Sequence, residues 1–340
     1  MNNTQPLHPF LPDKSRVRVS FDHAATHYDE VAILQREVGT RLLERLDEVR
    51  LEPMRILDVG AGTGVGTVVL GQRYPRALVV AIDIAPTMLR QTRRRVLGWM
   101  VATVTGWNSE SWFARGLTWA LGPRGGRGFV HADAEVLPFA SECVDLIYSN
   151  LTLQWCLDLD RTFAELRRVL RPEGLLVFTT FGPDTLCELR ESWRTVDNYS
   201  HVNAFIDMHD IGDALNRAGF GGIVMDVEHV TLTYLTLSEL MRDLKSIGAH
   251  NVTHGRPRGL IGRERFKRLT TAYEVFRRDG RLPATHEVIY GHAWSTSAQS
   301  PRRLGEVAIP LSSLRSEPRK ASDSDASSHC LAQRPSKSTD

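Results

Sequence analysis

Three glycines at alternate positions, Gly60, Gly62 and Gly64, follow the apolar run that ends in Asp58 within "ILDVGAGTGVGT", Ile56 to Thr67. Glycine tolerates positive φ and has no side chain, so such a loop brings backbone N–H groups close to a ligand. Dinucleotide sites use a related G-x-G-x-x-G spacing around a phosphate. Here the spacing is G-x-G-x-G with an acidic residue at its mouth. A carboxylate there repels a pyrophosphate and suits an ammonium.

Two further carboxylates extend the pattern. Asp83 ends a second apolar run, just before Ile84, where a carboxylate accepts both hydroxyls of a ribose. Asp133, followed by Ala134, ends a third run in "HADAEVLPF" and is placed to accept the exocyclic amine of an adenine. An amino acid, a ribose and an adenine together make S-adenosylmethionine, whose ammonium and sulfonium are both positive. Met88 in "DIAPTML" is placed to pack on the purine, and Asn150 follows the fourth apolar run at the same sheet edge.

The elements that must carry these residues alternate. Val31, Leu34, Val38, Leu42 and Leu46 recur at helical spacing and predict one helix over 21–49, stopped before Pro53. Strands are expected at "MRILDVG", "ALVVAID", "GFVHAD", "CVDLIYSN" and "LLVFTTF". Between them come helices over Val65–Tyr74, "PTMLRQTRRRV" and a stretch through Phe163, Leu166 and Leu170. Beyond Phe181 we expect helices over 184–197, over "MHDIGDALNRAGF" and over "TLSELMRDLKSIGA", a basic helix over Arg263–Arg278, and strands "IVMDVEHVTLTY" and "THEVIYGHAW". The fold class is therefore α/β, a doubly wound, mostly parallel, seven-stranded sheet with an N-terminal helical lid and helical insertions.

Residues 1–20 read as a flexible N-terminus, 21–294 as the folded domain, and 295–340, which lack Phe, Trp and Tyr, as a disordered tail. The domain carries an insert at about 97–127 holding Trp99, Trp107, Trp112 and Trp119, and a basic helical cap at about 237–281. Over 340 residues, 42% apolar and 24% charged with a net charge of +2, nothing draws the whole chain to nucleic acid or membrane. The four cysteines form no CxxC pair, and His250 and His254 have no third ligand beside them, so no metal is expected. Free thiols suit a cytoplasmic protein.

Residues 50–182, through "LDVGAGTG", "VVAIDIAPTML", "HADAEVLPF", "VDLIYSN" and "LRPEGLLVFTTF", resemble the class I S-adenosylmethionine-dependent methyltransferases. Over about 20–294, "FDHAATHYDEVAILQREV", "SNLTLQWCLDL", "FTTFGPDTLCELRESW", "HVNAFIDMHDIGDALNRAGF" and "EVIYGHAW" look like the malonyl-acyl-carrier-protein O-methyltransferases of biotin synthesis. The resemblance implies methylation of the free carboxyl of a malonyl thioester, giving the methyl ester that enters pimeloyl synthesis. It also implies that the N-terminal helix covers the methyl donor with Tyr28.

Methyl transfer from a sulfonium releases a neutral thioether and no proton. A malonyl carboxylate, with a pKa near ~4, is already the nucleophile. No general acid or base is expected, and alignment and exclusion of water carry the rate. Tyr28 and Trp155 are the methyl-site candidates, with Gln35, Arg36, Gln154 and Phe181 as further substrate contacts; His201 and His209 read as satisfied or exposed. An acyl carrier protein is acidic, and residues 242–281 hold eleven Lys and Arg against four Asp and Glu, so this segment is the expected docking face. Two alternatives stay open: a methyltransferase for a small molecule such as a quinone precursor, and a methyltransferase-fold assembly factor acting on a protein partner.

Overall fold

A computed structural model describes residues 12–105, 126–249, 251–253, 259 and 262–296. The tail beyond 296, the first eleven residues, and Trp107, Trp112 and Trp119 lie outside the described residues.

Strand β1 (Arg55–Val59) is buried on both faces after Arg55 because it is central. It pairs in parallel with β2 (Leu78–Asp83) on one side and β4 (Val144–Ser149) on the other. Its alternating side chains feed two cores: Ile56 packs with Leu34, Val38 and Leu70, and Leu57 with Phe163, Leu166 and Phe178. β3 (Arg127–His131) pairs with β2, and β5 (Leu170–Phe181) with β4, both parallel. The last strand, β7 (Leu282–Ser295), runs antiparallel between β5 and β6 (Phe220–Tyr234). The order is β3-β2-β1-β4-β5-β7-β6, as a doubly wound, mostly parallel sheet requires. After β3 the chain returns across β2 and β1 to start β4. The crevice above the β1–β4 boundary is therefore the switch point where such sheets bind ligands.

β7 outruns its neighbour. Its pairing with β5 ends at Val288, so residues 282–287 have β6 as their only strand partner among the described residues. Helices packed beside this overhang share a separate core of Leu186, Leu189, Trp193, Leu240, Leu269 and Tyr273.

The N-terminal region corrects the expectation of one helix over 21–49 after a flexible 1–20. Helix α1 spans Lys14–Ala24, capped by the Asp13 carboxylate on the Ser15 and Arg16 amides. A single turn, α2 (Tyr28–Val31), follows, and Ala32 at φ −78°, ψ +52° breaks it from α3 (Ile33–Glu44). The apolar periodicity crosses both breaks because the pieces bury different faces. α3 puts Leu34, Val38 and Leu42 on the sheet, while Ala25 and Phe21 meet Met88. Burying three such leucine and valine side chains is worth roughly 1.5–3 kcal/mol each.

Other boundaries shift for local reasons. Helix α4 is Val65–Arg73. α5 (Pro86–Thr105) continues past Val96 through Trp99, so the start of the supposed insert is helix; Arg127 lies 5.6 Å under the Trp99 ring. α6 is Leu159–Val169. The helix expected over 184–197 is shorter, α7 (Cys187–Arg194), because the Asp184 amide donates to Glu287 and Leu186 takes φ +54°. α8 is Met208–Arg217 and α9 is Leu237–Ser246. The basic helix, α10, stops at Tyr273 instead of Arg278; a 3-10 turn follows and the Arg277 guanidinium folds back on Glu274. Ser295 is the end of β7 and not part of a tail.

Candidate functional site

Gly60, Gly62 and Gly64 all take positive φ, +71°, +56° and +86°. A Cβ on Gly60 would stand 2.1 Å from Thr152 Oγ1, and one on Gly64 2.6 Å from Thr92 Cγ2. On Gly62 it would meet nothing within 4 Å. Gly60 and Gly62 line the cavity at the ends of β1 and β2, while Gly64 is the N-cap of α4. Bare backbone at Gly62 thus faces open space, as a close-fitting ligand needs.

Asp83 is on the same wall, with Ile84. Its carboxylate accepts the Gly62 amide at 2.9 Å and the Ala85 amide at 2.8 Å. Burial pushes its pKa up to about 6, against the pull of those two amides. Lone pairs remain for hydroxyls of a ligand.

Asp58 departs from expectation. It is 2% exposed, is not among the cavity-lining residues, and accepts the Thr67 hydroxyl from the first turn of α4. Burial pushes its pKa up to about 7. The loop's acidic residue therefore ties strand to helix behind the wall; it does not stand at the loop's mouth.

Asp133 and Ala134 line the cavity, but Asp133 is already engaged. Lys14 of α1 reaches both its oxygens and also Glu135, which is 6% exposed. Glu135 in turn accepts the Leu157 and Asp158 amides ahead of α6. Sequence reasoning missed Lys14. Asp13 before it is a recognisable N-cap, yet nothing local identifies a partner 119 residues away.

The remaining wall is aromatic and apolar. Phe21 lies edge-on to Trp155 at 5.4 Å and to Tyr28 at 6.5 Å. Met88, 1% exposed, packs behind Phe21 and Tyr28. Desolvation, helped by Asp83 and Asp29, holds the Tyr28 phenol well above its ordinary pKa, so it stays a neutral hydroxyl. Asn150 lines the cavity with both ends of its amide engaged: Nδ2 donates to the Gln35 carbonyl at 2.9 Å and Oδ1 accepts from Thr179 at 2.7 Å.

Four expected contacts lie elsewhere. Gln35 lines a second cavity, on the far side of α2. Gln154 lines a third, donating to the Leu151 carbonyl at 2.7 Å. Arg36 is exposed and donates to the Asp29 carbonyl at 2.7 Å, so it is no carboxylate clamp here. Phe181 is buried against Phe205 and His286. His201 stacks on Trp193 at 3.5 Å and pairs with Asp197, and exposed His209 pairs with Asp207. His250 and His254 lie outside the described residues. Asp184, His229 and Glu287 each bring one ligand atom within 4.8 Å of the others, but Glu287 is already packed on Gly182 and bonded to the Asp184 amide.

In the basic segment, Arg265 is paired with Asp197 and Arg277 with Glu274, and Arg268 donates to the carbonyls of Thr195 and Val196. Among the described residues, Arg242, Lys245, Arg263 and Lys267 have no side-chain partner. Arg256 and Arg258 lie outside the described residues. No helix of the described residues is long and apolar enough to cross a membrane.

Residues 57–178 match the model of a family described as a methyltransferase domain. A Laribacter hongkongensis protein named malonyl-[acyl-carrier protein] O-methyltransferase is 50% identical over 297 residues, 87% of this chain and 94% of that protein. One of the same name from Methylovorus sp. is 49% identical over 315 residues, covering 92% and 98%. Among solved structures, a Bacillus halodurans protein described provisionally as a methyltransferase aligns with a TM-score of 0.50 at 18% identity, over 76% of this chain and 99% of that one. That last likeness bears on the fold alone.

Proposed function

The chain belongs to the malonyl-[acyl-carrier protein] O-methyltransferase family, and from that premise we propose how its residues serve the reaction. The enzyme transfers a methyl group from S-adenosylmethionine to the free carboxylate of a malonyl thioester on acyl carrier protein, giving the methyl ester used in biotin synthesis. The donor supplies an electrophilic methyl on a sulfonium. The acceptor oxygen attacks in line, the C–S bond breaks, and both electrons leave with the sulfur, so no proton has to move.

What the chain must do is bind, align and dry. The observation that carries the reading is the cavity itself: Gly62 bare backbone, the Asp83 carboxylate and an aromatic wall of Phe21, Tyr28 and Trp155 face one space. Asp83 would take the ribose hydroxyls, and Gly60 and Gly62 the amino-acid end. Met88 and Ala134 would flank the purine, whose amine would share Asp133 with Lys14. The ring faces attract a cationic sulfonium, and Tyr28 and Trp155, next to Phe21, would keep water from the acceptor anion. No described side chain is asked to act as acid or base, in accord with the neutral Tyr28 phenol.

Docking of the acidic carrier falls to the basic cap, narrowed to Arg242, Lys245, Arg263 and Lys267, whose charges are not already neutralised. A cytoplasmic setting is part of the same proposal and is supported by Cys143, Cys156 and Cys187 standing as free thiols. The test is mass spectrometry of malonyl-loaded carrier protein after incubation with enzyme and donor. One added methyl is expected; an unmodified carrier beside a methylated quinone precursor would overturn the reading.

A further inference from the structure

A second cavity, of about 410 Å³, opens between α2–α3, β6 and α9. Its apolar lining comes from Val31, Leu34, Leu244 and Ile247, with Gln35 and Thr233 among them. One cation, Arg242, stands on its wall. Three carboxylates are also there, Glu30, Glu239 and Asp243, and two of them are held by uncharged donors that leave their charge in place. The Tyr234 hydroxyl donates to Asp243 at 2.6 Å, and the Leu235 amide donates to Glu239 at 2.9 Å; Glu30 is exposed, 3.5 Å from His27. The Arg242 guanidinium has no such partner among the described residues.

This cavity and the donor cavity are lined by residues of the same one-turn helix. Tyr28, at the start of α2, lines the donor side, while Glu30 and Val31 of the same turn line the second cavity. Asn150 lines the donor side and holds the Gln35 carbonyl, and the Gln35 side chain lines the second cavity. An acceptor lying in the second cavity would thus end beside α2, whose first residue, Tyr28, lines the donor cavity.

We infer that this cavity binds the phosphopantetheine arm of the acyl thioester, its amide-and-methylene chain along the mixed wall and its phosphate on Arg242. An arm of amides and methylenes wants alternating apolar surface and polar groups. A phosphodiester wants an uncommitted guanidinium, which it can engage with two parallel bonds. Lys245, three residues on in the same helix, is equally unpaired among the described residues. The inference rests on the malonyl thioester reading and adds where the arm lies and what holds its phosphate.

The test compares malonyl-4′-phosphopantetheine with malonyl-pantetheine, which lacks the phosphate, on wild-type enzyme and Arg242→Gln. Wild-type kcat/KM should favour the phosphorylated thioester by about tenfold or more, the scale of a charge-assisted hydrogen bond. Arg242→Gln should bring that ratio to near one, and Arg242→Lys should restore part of it. Donor binding by calorimetry, unchanged in Arg242→Gln, reports that the fold is intact. If wild type methylates both thioesters and the ratio is the same in Arg242→Gln, the phosphate does not sit on Arg242 and the inference falls while the activity stands. If wild type methylates neither, the thioester reading falls and takes this inference with it.

Discussion

Lys14 Nζ lies 2.6 and 2.5 Å from the two carboxylate oxygens of Asp133, a contact spanning 119 residues. It is also 2.7 Å from Glu135. One ammonium therefore fastens the lid helix to the end of the third strand and, through Glu135, to the amides that precede α6. Lys14→Met leaves two carboxylates facing each other, one of them buried. Because Asp133 is a third exposed, we expect a loss of about 1–3 kcal/mol rather than the full cost of a broken buried pair. Urea denaturation should show a lower midpoint at unchanged slope. In a double-mutant cycle with Asp133→Asn the two losses should not add.

The two cavity glycines should separate stability from binding. Gly60→Ala puts a methyl into Thr152 as well as straining positive φ, so it should lower the melting temperature strongly. Gly62→Ala meets no atom within 4 Å and bears mainly the φ strain, about 1–2 kcal/mol. Its methyl would occupy space meant for the donor. Calorimetry should show donor affinity down at least tenfold in a protein that is still folded.

Donor affinity should depend on pH through Asp83. Its carboxyl titrates at about 6 in the free protein, and a cationic ligand with hydroxyl donors favours the ionised form. Binding should therefore tighten as pH rises from 5 to about 7 and then level, by up to about tenfold per pH unit. Asp83→Asn should bind more weakly and lose this slope.

Asp58 should show itself in stability instead. Its pKa is raised on folding, to about 7, so the folded state holds a proton that the unfolded state releases. Stability from this group is complete below about pH 4 and is lost as pH rises through about 7. Asp83 contributes in an overlapping window, so the comparison must be with Asp58→Asn, which can still accept the Thr67 hydroxyl. That variant should have a flatter stability profile between pH 4 and 7.

Charge reversal should sort the basic cap. Arg263→Glu with Lys267→Glu should raise KM for malonyl-loaded carrier several-fold at low salt, with the difference fading at high salt. Arg265→Glu should instead reduce stability, because it sets a carboxylate against Asp197. Equal KM values for the double variant and the wild type at low salt would remove those two residues from docking.

The parallel strands and the glycine loop were legible because their signals are local. An apolar run followed by Gly60 and Gly62, or by Asp83, marks a strand end whatever the rest of the chain does. The same logic misplaced Asp58, since a carboxylate beside a glycine loop reads identically whether it turns outward or back to Thr67. Lys14 was illegible because an ion pair between distant residues leaves no spacing to read. Arg265 and Arg263 are two residues apart and equivalent in composition; only folding shows that one has met Asp197 and the other has not. The lid helix was read as continuous because α1 and α3 keep one period while burying different faces.

The overhang of β7 past Val288 has a consequence for how this molecule could be rebuilt. Residues 282–287 and their β6 partners form a two-stranded ribbon roughly 20 Å long, at about 3.4 Å per residue. The stretch matching the general methyltransferase model ends at residue 178, before that ribbon is reached. The donor-cavity lining also ends before it, at Cys156, whereas the second cavity is lined both by residues 30–35 and by residues 232–247. A foreign segment grafted between Gly182 and Val288 is therefore expected to keep every donor-cavity residue and to remodel the Arg242 wall of the second cavity while α2 and the start of α3 stay in place.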